Sequence, residues 1–152
     1  MTSSTPRLVL DTNVVLDCLV FRDPATRDLT HALQMRRVLA LVHQLTLHEL
    51  QRVLSYPQCR LDVPGQREIF DRYLSFATTP EMPDGFSRET LQLPPTFPCC
   101  RDPDDQPFLA IAYHARAEGL VTKDKALLKL RKKARRFDLA ILAPGDLQLP
   151  VP

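Results

Sequence analysis

Residues 7–10, Arg-Leu-Val-Leu, form a short apolar run that ends on an acid, Asp11. A run of this length and composition reads as a strand buried on both faces of a parallel sheet. An acid at its C-terminal end stands where parallel α/β folds collect their ligand sites. Residues 38–42 (VLALV), 120–122 (LVT) and 139–142 (LAIL) repeat the pattern, and helical stretches separate them. Helices are predicted over 14–20, 26–37, 47–54, 65–76, 107–117 and 125–133. Over 26–37 the spacing of Leu29, Ala32, Leu33 and Arg36 is that of one helical face. Thr46 is the predicted N-cap of the third helix, with Glu49 completing a T-x-x-E capping box. Pro64 opens the fourth helix, and Gly119 marks the end of the fifth. Residues 79–100 are rich in proline and read as strand fragments and loop. The alternation predicts an α/β fold: a three-layer α/β/α sandwich around a central, mainly parallel sheet, with residues 1–152 as one domain.

The composition narrows the class. Hydrophobic residues make up 44% and charged residues 25% of the chain, ordinary values for a globular protein with one real core. No apolar run approaches the ~20 residues needed to span a bilayer. The first residues lack a basic segment followed by an apolar one, so a cytoplasmic location without membrane association is expected. Cys18, Cys59, Cys99 and Cys100 have no C-x-x-C spacing and are expected to be free thiols. The net charge of +2 says little, but eight cations lie between Lys123 and Arg136 against the single acid Asp124. Such a run serves equally as a solvated helix face or as a contact for a polyanion.

The acids carry the chemistry. Asp11 follows the first strand, Glu49 lies in the first turns of a helix, Asp102, Asp104 and Asp105 precede another helix, and Asp124 follows the third strand. Each alone has a bland explanation: Asp11 as a strand-end cap, Glu49 as the capping-box acid, the others as helix caps. Together they converge on one sheet edge, where unpaired carboxylates repel and raise one another's pKa. A hard cation such as Mg²⁺ or Mn²⁺ removes that conflict, taking one or two carboxylates with water and substrate phosphate.

These same segments, LVLDTNVVL (8–16), LTLHELQRVL (45–54), CRDPDDQPFLAIA (100–112) and LVTKDKALL (120–128), resemble the PIN domains, in particular the VapC-like toxins. The resemblance implies a Mg²⁺- or Mn²⁺-dependent endoribonuclease leaving a 5′-phosphate and a 3′-hydroxyl. It carries the family's acids to Asp11, Glu49, Asp105 and Asp124, with Asp102 as an alternative to Asp105; Asn13 would orient Asp11, and Thr122 would hydrogen-bond a metal ligand or its water. Asp11, Asp105 and Asp124 would hold the metal, and Glu49 would position or deprotonate the attacking water. His48 is expected on the other side of its helix. Lys123, Lys125 and Lys129 would contact RNA phosphates. A small antitoxin and a homodimer are the partners the resemblance implies, the chain being the toxin of a toxin–antitoxin pair. The long 64–100 segment departs from the compact toxins.

Two other readings compete. A haloacid dehalogenase-type phosphatase needs a second aspartate two residues after the first, where this chain has Asn13, an amide that cannot donate the proton. A non-catalytic RNA- or partner-binding module would use the basic helix alone, yet none of the four acid positions is lost. No aromatic-rich strand is present, so no single-strand stacking platform built on exposed aromatics is expected.

Overall fold

A computed structural model describes residues 5–150; residues 1–4, on which the reading of the N-terminus partly rests, and 151–152 lie outside it. Five strands are seen: β1 (Arg7–Leu10), β2 (Leu39–Leu41), β3 (Ala77–Thr78), β4 (Gly119–Val121) and β5 (Ile141–Leu142). They form one sheet in the order β3-β2-β1-β4-β5, and every pairing is parallel. β1 is central, pairing Val9 with Leu41 on one side and with Leu120 on the other. The chain fills one half of the sheet through β3 and then returns to β1's other side, so the topological switch lies between β1 and β4. Ligand crevices of open α/β sheets form at the strand C-termini at that point.

Alternation along the strands makes the two cores. Leu8, Leu10, Ala40 and Val42 face one side, under helices α1 (Thr12–Leu19), α2 (Arg27–Gln34), α3 (Gln44–Leu54) and α4 (Val63–Ser75). Val9, Leu41, Leu120 and Ile141 face the other, under α5 (Gln106–Ala115), α6 (Lys125–Leu128) and α7 (Arg131–Arg135). This is the expected three-layer α/β/α sandwich. Each buried aliphatic side chain here contributes about 1.5–3 kcal/mol. α5 is apolar nearly all round because it crosses β1 and β4, with Leu109, Ala110 and Ile111 wholly enclosed.

Several boundaries differ from expectation, each for a local reason. α1 begins at Thr12 rather than Val14, directly after Asp11. α2 covers only Arg27–Gln34, following a 3-10 turn over Pro24–Thr26. Gly119 does not close α5. The helix ends at Ala115, with Arg116 in the left-handed region at φ 54°, and Gly119 instead opens β4. A Cβ there would lie 3.3 Å from Leu142 Cδ1. The basic helix is broken in two at Lys129–Leu130. β3 falls between the predicted fourth helix and the proline-rich stretch, two residues too short to show a period, and residues 79–105 carry neither helix nor strand. Cys18, Cys59, Cys99 and Cys100 are all unpaired. Among the described residues no helix is long and apolar enough to cross a membrane.

Candidate active site

Asp11 is where β1 becomes α1. Its N–H donates to the Val121 carbonyl at 2.9 Å, the last rung between β1 and β4, and its carbonyl accepts from Val14 and Val15. The residue occupies the N-cap position of α1, yet its side chain makes no capping hydrogen bond. The carboxylate turns instead to Thr122, whose hydroxyl donates to Asp11 Oδ2 at 2.8 Å. That hydroxyl also accepts from the Asp124 N–H at 3.0 Å. Thr122 is wholly buried, so its single hydroxyl uses both donor and acceptor to tie Asp11 to the Asp124 turn.

Asp124 caps α6, its Oδ1 accepting from the Ala126 N–H at 2.8 Å. Glu49 arrives by a different route from the one its spacing suggests. The N-cap of α3 is His43, not Thr46: His43 Nδ1 accepts from the Leu45 N–H and the Thr46 hydroxyl accepts from the His43 N–H. Glu49 is therefore in the second turn and free of capping duty. Its Oε2 accepts instead from the Thr12 hydroxyl, which bonds it to the residue next to Asp11. His48 is exposed while Glu49 is half-buried, as adjacent helical positions on different faces should be.

Asp105 stands at the N-cap position of α5, and its carboxylate likewise makes no cap. Its pKa is pushed up to about 7, first by burial, then by the charges of Asp11 and Asp102 and by Asp124. Burial likewise raises Asp11; the Thr122 hydrogen bond opposes the rise, and the charges of Glu49 and Asp124 add to it. Asp11, Glu49, Asp105 and Asp124 thus feel one another. Asp102 is the peripheral acid. It is exposed, and its Oδ1 accepts from the Asp104 N–H at 2.9 Å in a turn. Of the two candidates for the third acid, Asp105 is the one the fold sets against Asp11 and Asp124.

Asn13 does not orient Asp11. Its side chain is exposed at the second position of α1, with no hydrogen bond to the carboxylate, and Thr122 performs that task. Lys123 is exposed but is not a free phosphate contact. It is the ion-pair partner of Asp17 on α1, a carboxylate only 6% exposed. Lys125 and Lys129 are exposed. Thr12, Asp17 and His43 escaped the sequence reading. A lone acid on the buried face of apolar α1 was the available signal for Asp17, and a hydroxyl beside Asp11 was the signal for Thr12.

Among the described residues, neither Asp11, Glu49, Asp105 nor Asp124 has a cationic side chain at ion-pairing distance; the ion pairs join Lys123 to Asp17 and Arg131 to Asp146. The donor set is all oxygen, which suits a hard divalent cation. Among these residues no three acids, histidines or cysteines are gathered closely enough to enclose an ion by themselves. The arrangement therefore fits Mg²⁺ or Mn²⁺ held by one or two carboxylates with water completing the shell, and not a closed cage.

The family model described as the PIN domain matches residues 7–126, from β1 through the first residues of α6. The chain belongs to the PIN domain family. PIN domains are as a class nucleases that generally depend on divalent metal, and they commonly bind RNA and antitoxins. No curated protein and no solved structure matches the chain.

Proposed function

We propose that this chain is a Mg²⁺- or Mn²⁺-dependent endoribonuclease of one domain, with Asp11, Glu49, Asp105 and Asp124 as its catalytic acids. The observation that carries the reading is the gathering of these four carboxylates at the β1–β4 switch point, with Asp11 and Asp105 raised above their usual values and no internal cation beside them. Asp11 and Asp105 would hold the ion, with Asp124 as a further ligand beside them. When bound, the ion polarises the scissile phosphate and lowers the pKa of a coordinated water.

The protein's own groups do the rest. Thr122 fixes the orientation of Asp11 and the turn that carries Asp124, as residues behind metal ligands do. Glu49, tethered by Thr12 through one oxygen, has the other to orient the attacking water and take its proton. Attack on phosphorus breaks the bond to the 3′-oxygen, which takes a proton from solvent, and leaves a 3′-hydroxyl and a 5′-phosphate. Lys125 and Lys129, exposed on and just after α6, contact phosphates without reading sequence.

An RNase assay tests the assignment. Wild type should cleave single-stranded RNA in Mn²⁺ or Mg²⁺ and stop in EDTA, and Asp11→Asn and Asp124→Asn should be inactive. RNA binding without cleavage by the wild type would favour a non-catalytic module instead. The finer role we propose is the toxin of a toxin–antitoxin pair, working as a homodimer in the cytoplasm. A neighbouring reading frame encoding a small DNA-binding protein that relieves growth arrest would support it, and unimpaired growth on overexpression would count against it.

A further inference from the structure

The acid cluster occupies the C-terminal edge of the sheet, and a second concavity lies at the end of α5 remote from it. A cavity of about 680 Å³ is lined by Tyr113, His114 and Arg116 at the end of α5 and by Arg136, Phe137 and Asp138 after α7. That volume lies within the range of small-molecule sites. Two features distinguish its walls.

The first is cationic. Arg116 and Arg136 face the cavity, and neither has a carboxylate at ion-pairing distance among the described residues, although Asp138 is close in sequence. Arg116 also stands in the left-handed region at the close of α5, φ 54°, where glycine is the favoured residue. Asp138 repeats the conformation at φ 58° on the opposite wall.

The second is aromatic. Tyr113 and Phe137 pack edge to face at 6.2 Å, and Phe97 locks both at 5.0 Å. Both rings are half-buried, so each is fixed from behind while it lines the cavity. Rigid aromatic surface beside guanidinium groups is what binds a base with its phosphate.

The cavity also ends a cationic path. α6 and α7 run from Asp124, in the acid cluster, to Arg136, in the cavity wall, with Lys125, Lys129, Lys132, Lys133 and Arg135 exposed along the way. The continuous helix α5 sets the separation: from Asp105 in the acid cluster to Arg116 in the cavity wall it spans about 16 Å, which a stacked strand covers in about five nucleotides.

We propose that this cavity is a nucleotide subsite, with Arg116 and Arg136 holding a phosphate and Tyr113 and Phe137 lying against its base. Its occupant is a unit of the RNA strand whose cleavage site lies at the acid cluster, an assignment that rests on the ribonuclease reading above. The rings come from a helix end and a loop, which is why no aromatic-rich strand announced them.

Binding measured in EDTA tests the subsite without requiring cleavage. Fluorescence anisotropy with a labelled 16-nucleotide single-stranded RNA should show Arg116→Ala/Arg136→Ala binding about tenfold more weakly than wild type. Arg27→Ala/Arg67→Ala removes the same charge from exposed positions elsewhere and should change affinity little. Calorimetry should show AMP binding more tightly than ribose 5-phosphate, with the AMP signal lost in the first double variant, whose melting temperature should match wild type. If AMP binding is lost while RNA affinity is unchanged, the subsite stands and its source is free nucleotide. Equal weakening of RNA by both double variants, with no AMP binding, would overturn the proposal, as would ribose 5-phosphate binding as well as AMP. Inactivity of the wild type toward RNA would sink the ribonuclease reading alone.

Discussion

Asp11 and Asp17 lie six residues apart around α1 and are buried almost equally, 5% and 6% exposed. The fold treats them in opposite ways. Asp17 has an internal cation: Lys123 reaches across from the turn after β4 and pairs with it. Asp11 has a hydroxyl, Thr122, and beyond that other carboxylates, so its charge is opposed and not matched. A buried carboxylate with a lysine has its charge balanced within the protein. One held among like charges is stable only as the acid or with a cation from outside. Lys123 sits between Thr122 and Asp124, so the same three-residue connection neutralises one carboxylate and leaves the other to a ligand.

Substitution at Asp11 should have the largest effect. Asp11→Asn should reduce RNA cleavage by more than about 100-fold, the upper end of what loss of a supporting residue costs a metal site. The melting temperature of the metal-free variant should not fall, because the substitution also removes a repelled charge. Thr122→Val keeps the shape and deletes the hydroxyl that joins Asp11 to the Asp124 turn, and should cost about 10–100-fold in the same assay. Asp17→Asn acts on the complete pair and should appear chiefly as a stability loss of about 1–3 kcal/mol in denaturant unfolding. If Asp17→Asn abolished cleavage with stability intact, the division between the two aspartates would be wrong.

The smallest effect is the pH dependence of the metal-free protein. Asp105 titrates near 7 in the fold and near 4 when unfolded. Its charged form is the one the fold penalises, so the folded state binds more protons than the unfolded state across that window. Stability therefore rises as pH falls from about 7 toward 4 and is lowest above 7. Thermal melts in EDTA should show a higher melting temperature at pH 5.5 than at pH 8, by a few degrees. Asp105→Asn should flatten the difference, and Mn²⁺ should raise the pH 8 value most.

Much of this was legible in the sequence because it follows from local pattern. Short apolar runs flanked by helical periods specify a parallel sheet, and the acids after 7–10 and 120–122 had to share an edge once the strands were parallel. What escaped depended on which of several equivalent local choices tertiary contacts favour. Either His43 or Thr46 suits a helix start, and only the packed structure shows that His43 takes the cap and leaves Glu49 to Thr12. The sequence assigned the orienting of Asp11 to Asn13 and only a hydrogen bond to some metal ligand or its water to Thr122; the register of β1 against β4 gives both tasks to Thr122. Lys123 read as one cation in a basic run because its partner, Asp17, lies more than a hundred residues away. Periods of two and 3.6 residues carry no information over that distance.

Calorimetric titration of Mn²⁺ into the metal-free protein at pH 7, repeated in buffers of different ionisation enthalpy, tests directly whether the carboxylates around Asp11 take a divalent cation. Saturable binding with release of protons is expected, since a carboxyl pushed up to about 7 must give up its proton to become a ligand. Asp11→Asn should remove both the binding and the proton release, and Asp17→Asn should preserve them. No binding by the wild type, or binding that Asp11→Asn leaves untouched, would contradict the metal assignment.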